Sequence, residues 1–94
     1  MTTTTRDAEP QTLVELMIQD ARVLNEVVEE LRLAREKFTG TFASAHEGYA
    51  VILEELDELK TECFKRREER TRERLRAEAI QVAAMAVRFA ADLT

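Results

Sequence analysis

Glutamates at helical spacing are the residues of this chain best suited to chemistry. Glu55 and Glu58 lie three residues apart behind Glu54 in the stretch EELDE, and the stretch EAIQ places Glu78 three residues before Gln81. Residues three apart share one face of a helix, so each stretch would present neighbouring oxygen-bearing side chains. Two such helices facing each other would supply the hard oxygen ligands that Mg²⁺ or Mn²⁺ prefers. A bound ion would also offset the mutual repulsion of the carboxylates.

The same residues have a simpler interpretation, because acidic side chains are common on the exposed faces of helices. There Glu54, Glu55 and Glu58 would form contacts with Lys or Arg at i, i+4, worth about 0.2–0.5 kcal/mol each. Glu78 and Gln81 would then form the solvent-facing edge of an Ala-rich helix. Spacing alone leaves both interpretations open.

Helices must position these residues, because Ala, Leu, Glu and Arg are abundant while the 94 residues include two Gly, one Pro and no Trp. The predicted fold class is all-α, with a three-helix protomer. The helices are expected at about residues 10–38, 44–66 and 70–93. A flexible tail, residues 1–9, is expected to precede a single domain that spans residues 10–94.

Local signals mark the predicted helix ends. Thr12 with Glu15, and Ser44 with Glu47, have the spacing of a capping box at a helix N-terminus. Gly40 can adopt the left-handed turn that follows a helix. These signals predict where the first helix begins, where the chain turns after it and where the second helix begins.

Apolar residues predict both an inward face and self-association. On the second helix, one face is predicted to pack inward; it comprises Tyr49, Ile52, Leu53, Leu56, Leu59 and Cys63. The third helix is apolar in nearly every direction from Ala77 onward, which is typical of a helix enclosed by neighbours. A chain of this size buries only about 60–65% of its unfolded surface. A second copy is therefore an expected partner.

Charge and cysteine content restrict the classes of function. The formal charge is −5, although residues 65–76 carry a net +4, so the rest of the chain carries −9. An acidic chain argues against nucleic acid as a partner, because nucleic-acid binding depends on neutralising phosphates. Cys63 is the only cysteine, and no apolar run approaches the roughly 20 residues that span a bilayer. We therefore expect a cytoplasmic protein that does not enter the membrane.

The acidic stretches resemble a known family. EELDEL is similar to the E-E-x-x-E signature of the MazG-like, all-α nucleoside triphosphate pyrophosphohydrolases, and EAIQVAAMAVRFAADL resembles the later helix that carries E-x-x-D. The resemblance covers roughly residues 42–93. It implies hydrolysis of nucleoside or deoxynucleoside triphosphates between the α and β phosphates, giving a monophosphate and pyrophosphate. It also implies a homodimer or homotetramer built around a four-helix core.

The resemblance also implies residue roles. Glu55, Glu58, Glu78 and Gln81 would ligate Mg²⁺, with Mn²⁺ as a substitute. Glu54 would be either the catalytic base that orients water or a residue that supports the metal ligands without touching the ion. Arg88 shares a helical stripe with Glu78, and this position predicts one of two roles: a salt-bridge partner within the protein or a ligand for the phosphates of the substrate.

The chain departs from the family pattern at Gln81, which occupies the aspartate position of E-x-x-D. An amide oxygen can ligate a metal ion but brings no negative charge. The sequence therefore also permits a non-catalytic helical interaction protein that keeps the MazG-like scaffold.

Overall fold

The computed structural model describes residues 11–94, which form three α-helices and no strand. Helix α1 spans Leu13–Lys37, α2 spans Ala45–Cys63 and α3 spans Arg72–Leu93. A short 3-10 helix, Arg67–Glu69, lies in the turn between α2 and α3. The all-α prediction is confirmed. The predicted tail, residues 1–9, and the predicted helix start at Pro10 lie outside the described residues.

The helix ends follow the capping signals closely. Thr12 and Glu15 form a reciprocal capping box, and Gly40 has a φ angle of 89°. The Ser44 hydroxyl accepts a hydrogen bond from the Glu47 backbone N–H, but the Glu47 carboxylate accepts from Ala43 instead of Ser44. The prediction placed the end of α2 three residues too late, because it did not recognise the turn that leads into the 3-10 helix.

Helix α3 lies between the other two. It packs against both α1 and α2, whereas α1 and α2 make no close backbone contact with each other. The buried apolar residues are Val27, Phe42, Ile80, Ala84 and Met85. The Cα radius of gyration is 16.5 Å, compared with about 12 Å for a compact domain of this length. The protomer is therefore elongated, with a small core on both sides of α3.

Helices α2 and α3 pair in an antiparallel register. Gly48 near the start of α2 lies against Phe89 near the end of α3, and Glu62 at the other end of α2 forms an ion pair with Arg74. Between these contacts, Glu58 lies beside Glu78. The register brings the two acidic stretches of the sequence together.

The inward face of α2 differs from the prediction. Tyr49, Leu53, Leu56 and Cys63 are exposed in the single chain, so the prediction was wrong for these four residues. The side of α2 that faces α3 instead contains the buried residues Gly48 and Glu62. Its half-buried residues are Val51, Ile52, Glu55 and Leu59. Ile52 and Leu59 were predicted on this face, but hydrophobic periodicity missed the rest because it gives no weight to glycine and counts glutamate as solvent-facing.

No helix within residues 11–94 combines the length and the apolar character needed to cross a bilayer.

Candidate metal centre

Three glutamates meet across the α2–α3 interface. Glu55 and Glu58 on α2 and Glu78 on α3 each place a carboxylate oxygen within 4.8 Å of those of the other two. Glu55 and Glu78 are half-buried and Glu58 is exposed, so the cluster lies at the edge of the interface. We call these residues the acidic cluster.

The acidic cluster has the electrostatics of crowded like charges. Burial raises the pKa of Glu55, and the carboxylates of Glu58 and Glu78 raise it further. Burial also raises the pKa of Glu78, again with contributions from Glu58 and Glu62, while the Arg74 guanidinium acts in the opposite direction. Removing the repulsion requires either a proton or a cation.

The acidic cluster has suitable ligand atoms for one hard cation. With Mg–O distances of about 2.1 Å, adjacent oxygen ligands of an octahedral Mg²⁺ are about 3.0 Å apart and opposite ones about 4.2 Å apart. The three carboxylate oxygens, which lie within 4.8 Å of one another, would therefore have to move closer together to share one ion. Three carboxylates leave positions for water or a substrate oxygen, which is how Mg²⁺ is commonly held.

A groove of about 640 Å³ begins beside the acidic cluster. Its walls are formed by α1 between residues 30 and 37, the connecting segment 38–42, α2 between residues 47 and 55, and α3 between residues 81 and 88. The groove exists because α1 and α2 both pack on α3 but not on each other. Its volume falls within the range of about 300–1,000 Å³ that is typical of small-molecule sites.

Two further predicted site residues lie in the wall of this groove. Gln81 is half-buried, and Glu54 is exposed. Glu55 belongs both to this wall and to the acidic cluster, and so connects them. Glu54 is close enough to Glu55 to contribute to its raised pKa, after the larger effects of burial, Glu58 and Glu78.

Arg88 also lines the groove, and its guanidinium has partners within the chain. Its guanidinium carbon lies 4.1 Å from the centroid of the Phe42 ring, and its Nε atom is 3.5 Å from Asp92 Oδ2. Asp92 also binds Arg35, at 2.8 Å, and accepts a hydrogen bond from the Phe42 backbone N–H. Arg88 is 8% exposed. This network joins α1, the connecting segment and α3 at the end of the groove remote from the acidic cluster.

A buried ion-pair network at the opposite end of α2 was missed by the sequence analysis. Glu62 is 4% exposed, and its Oε2 atom accepts hydrogen bonds from Lys65 Nζ at 2.8 Å and Arg74 Nε at 3.2 Å. These interactions, led by the hydrogen bond from Lys65, hold the pKa of Glu62 below its ordinary value despite burial. The available signal was the position of Glu62, seven residues after Glu55 and therefore on the same side of α2.

Glu30 is a second acidic residue that sequence reasoning did not select. It is half-buried on α1, lines the groove and contributes to the raised pKa of Glu55, whose main cause is burial. Its spacing places it beside Val27 and Leu31 in the otherwise apolar stripe of α1, and that position was the available signal.

Comparisons of the chain with protein-family models, with curated proteins and with solved structures found no match. The resemblance to the MazG-like family therefore stays a prediction.

Proposed function

We propose that this chain is a Mg²⁺-dependent nucleoside triphosphate pyrophosphohydrolase of the MazG-like type, with Mn²⁺ as a substitute ion. The observation that carries the proposal is the meeting of Glu55, Glu58 and Glu78 at the edge of a nucleotide-sized groove. We further propose that it acts in the cytoplasm as a homodimer or homotetramer, without nucleic acid as a partner.

In this proposal the three carboxylates hold the ion, and Gln81 is a neutral fourth ligand from the adjacent turn of α3. Burial and, after it, the neighbouring carboxylates raise the pKa values of Glu55 and Glu78, and an ion at this position would offset the repulsion between these carboxylates. When bound, Mg²⁺ would neutralise phosphate charge and polarise a phosphoryl oxygen.

Glu54 is the proposed base. It lines the groove next to Glu55, and its exposure gives it access to a water molecule. The water oxygen would attack the α-phosphorus while Glu54 accepts a proton from it. The bond between the α-phosphorus and the α–β bridging oxygen breaks, and that oxygen leaves with pyrophosphate. The products are a nucleoside monophosphate and pyrophosphate, and Glu54 then returns its proton to solvent.

The nucleoside would occupy the groove beyond Glu55. Arg88 is ten residues from Glu78, which corresponds to about 15 Å along α3 at 1.5 Å per residue. Arg88 is also paired with Asp92 and stacked on Phe42. We therefore assign it to the nucleoside end of the substrate rather than to its phosphates.

A non-catalytic interaction protein is the second candidate. It is favoured by the neutral Gln81 and by apolar side chains that the single chain leaves in solvent, including Tyr49 at 63% and Leu56 at 47% exposure. In that case the acidic cluster would contribute only solubility, and removing one of its carboxylates would not alter any reaction.

The test is a screen of nucleoside and deoxynucleoside triphosphates with Mg²⁺ or Mn²⁺, in which monophosphate and pyrophosphate are both measured. We expect the wild-type chain to release the two products in equal amounts and Glu58→Ala to release neither. Asp57→Ala is the matched control, because Asp57 is an exposed acid on the same helix and lies outside the acidic cluster. Absence of product from every triphosphate would contradict the enzyme and favour the interaction protein. Equal turnover by wild type and Glu58→Ala would contradict the assignment of the active site to the acidic cluster.

A further inference from the structure

The β and γ phosphates of the substrate lie beyond the scissile bond, and none of the residues assigned to the proposed site gives them a positively charged partner. Arg88 lies at the far end of the groove, and the acidic cluster itself is negative. Two cations, Lys65 and Arg74, share Glu62 as their partner farther along the α2–α3 interface. Arg74 lies one helical turn before Glu78 on α3, and its guanidinium counteracts the rise in the pKa of Glu78 that burial and the nearby carboxylates produce.

The hydrogen bonding of Arg74 leaves much of its guanidinium free. Its Nε atom donates to Glu62, whereas neither terminal nitrogen forms a hydrogen bond among the described residues. The side chain is 63% exposed although its anchor, Glu62, is buried. A guanidinium fixed at Nε presents its two terminal NH₂ groups, which can bind phosphate oxygens in a bidentate manner.

Lys65 adds a second charge at the same point. Its ammonium donates one hydrogen bond to Glu62 Oε2, the atom that also accepts from Arg74. An ammonium carries three donors, so two remain for a ligand. The first turn of α3 begins at Arg72, close to this pair, and the N-terminus of a helix favours negative charge.

We propose that Lys65 and Arg74, held in place by Glu62, form the subsite for the β and γ phosphates of the substrate and for the departing pyrophosphate. This inference rests on the proposed function and adds to it a requirement for at least two phosphates beyond the scissile bond. The substrate would lie along the α2–α3 interface, with the nucleoside in the groove, the α-phosphate at the acidic cluster and the pyrophosphate end near the α2–α3 turn. A nucleoside diphosphate would reach only part of this subsite.

Inorganic pyrophosphate with saturating Mg²⁺ is the probe, and its dissociation constant is measured by calorimetry. Loss of hydrogen bonds to a charged ligand is expected to raise that constant about tenfold or more in Arg74→Met, and similarly in Lys65→Met. Arg74→Lys keeps the charge and the pairing with Glu62 but loses the bidentate geometry, so an intermediate value is expected. Arg72→Met removes the same charge from an exposed position on another side of α3 and should change the constant by less than about twofold.

Mn²⁺ binding without pyrophosphate, followed by electron paramagnetic resonance, separates this inference from the function on which it rests. We expect wild type and Arg74→Met to bind Mn²⁺ with equal affinity. We expect pyrophosphate to bind more weakly only in the variants of Lys65 and Arg74. Intact Mn²⁺ binding with unchanged pyrophosphate affinity in Arg74→Met and Arg74→Lys would overturn the subsite alone. An equal loss in Arg72→Met would also overturn it, by showing a general charge effect. A wild-type chain that binds no Mn²⁺ would overturn both proposals.

Discussion

Gly48 on α2 lies so close to Phe89 on α3 that a Cβ atom at position 48 would be 2.6 Å from Cδ2 of the ring. It would also lie 3.2 Å from Cδ2 of Phe42. The absence of a side chain therefore allows the two helices to approach at this point. The same pairing of helices brings the acidic cluster together farther along the interface.

Gly48→Ala is expected to destabilise the fold although alanine favours helix. The gain in helix propensity is about 0.5–1 kcal/mol, whereas overpacking of a filled interface costs about 1–3 kcal/mol. Chemical denaturation should show a lower free energy of unfolding, and calorimetry should show weaker Mg²⁺ binding because the helices move apart.

Gly40→Ala is the matched comparison for that substitution. Its φ of 89° is unfavourable for alanine, but no atom lies within 4 Å of the added Cβ. It should reduce stability by about 1–2 kcal/mol through backbone strain without a change in Mg²⁺ affinity. An unaltered free energy of unfolding in Gly48→Ala would show that the Phe89 ring can move aside freely.

Glu55→Ala should abolish Mg²⁺ binding while leaving the metal-free chain as stable as the wild type, or more stable. The substitution removes a carboxylate whose pKa is raised by burial and by Glu58 and Glu78, so it removes repulsion from the folded state. Melting temperatures with and without Mg²⁺ provide the measurement, since only a chain that binds the ion is stabilised by it. If Mg²⁺ raises the melting temperatures of wild type and variant equally, the ion binds at another site. If it raises neither melting temperature, the chain does not bind the ion.

Gln81→Asp restores a charged oxygen at the position where the chain departs from the family pattern. Hard cations favour carboxylate over amide oxygen, so Mg²⁺ should bind more tightly, and turnover should rise if metal occupancy limits it. Mg²⁺ titration and pyrophosphate release are measured on the same preparations. If the side chain lies outside the metal shell, affinity will not change and stability will stay within about ±0.5 kcal/mol.

The metal-free chain should become more stable as the pH falls from neutral toward about 4.3, the ordinary glutamate pKa. The pKa values of Glu55 and Glu78 are raised in the folded chain, mainly by burial. The folded state then binds protons more tightly than the unfolded state, and the free energy of unfolding rises as the pH decreases. Urea denaturation at several pH values should show this trend in the wild type and a weaker one in Glu55→Gln.

Below that range the trend should reverse. Hydrogen bonds from Lys65 and Arg35 lower the pKa values of Glu62 and Asp92, respectively. These carboxylates stabilise the fold while they are charged, and the contribution is lost as the pH falls through their folded pKa values. A stability that decreases steadily from pH 7 downward would contradict the repulsion assigned to the acidic cluster.

The chain should self-associate, because the single protomer leaves large apolar side chains exposed on α2 and α3. Leu53, Leu56 and Val87 are 40%, 47% and 43% exposed, and burying one such side chain fully yields about 1.5–3 kcal/mol. Sedimentation at micromolar concentration should therefore show a dimer or tetramer. Leu53→Glu combined with Leu56→Glu should shift it toward monomer, unlike Thr61→Glu at an exposed polar position. A monodisperse wild-type monomer would contradict the prediction.

The sequence was a good guide wherever one local interaction decided the structure. Thr12 and Glu15 form the predicted capping box at the start of α1, and Gly40 has the predicted left-handed conformation after the end of that helix. Glu55, Glu58 and Glu78, which the family resemblance had grouped, do lie close together across the α2–α3 interface.

Prediction failed where burial depended on partners distant in the chain. Glu62 is buried because Lys65 and Arg74 neutralise it, and Arg74 comes from the next helix. Arg88 forms a salt bridge with Asp92, which was one of its two predicted roles, but its stacking on Phe42 was not predicted. A periodic pattern describes one helix at a time and cannot assign such pairings.

The antiparallel register of α2 and α3 also determines where the chain can change length. An extra residue between Glu78 and Phe89 would rotate the following part of α3 by about 100°, so the acidic cluster and the packing at Gly48 could no longer form together. The same insertion within residues 66–70 would leave both contacts intact, because that segment only connects the helices. Insertions and deletions should therefore be tolerated in the turn and excluded from the paired helices.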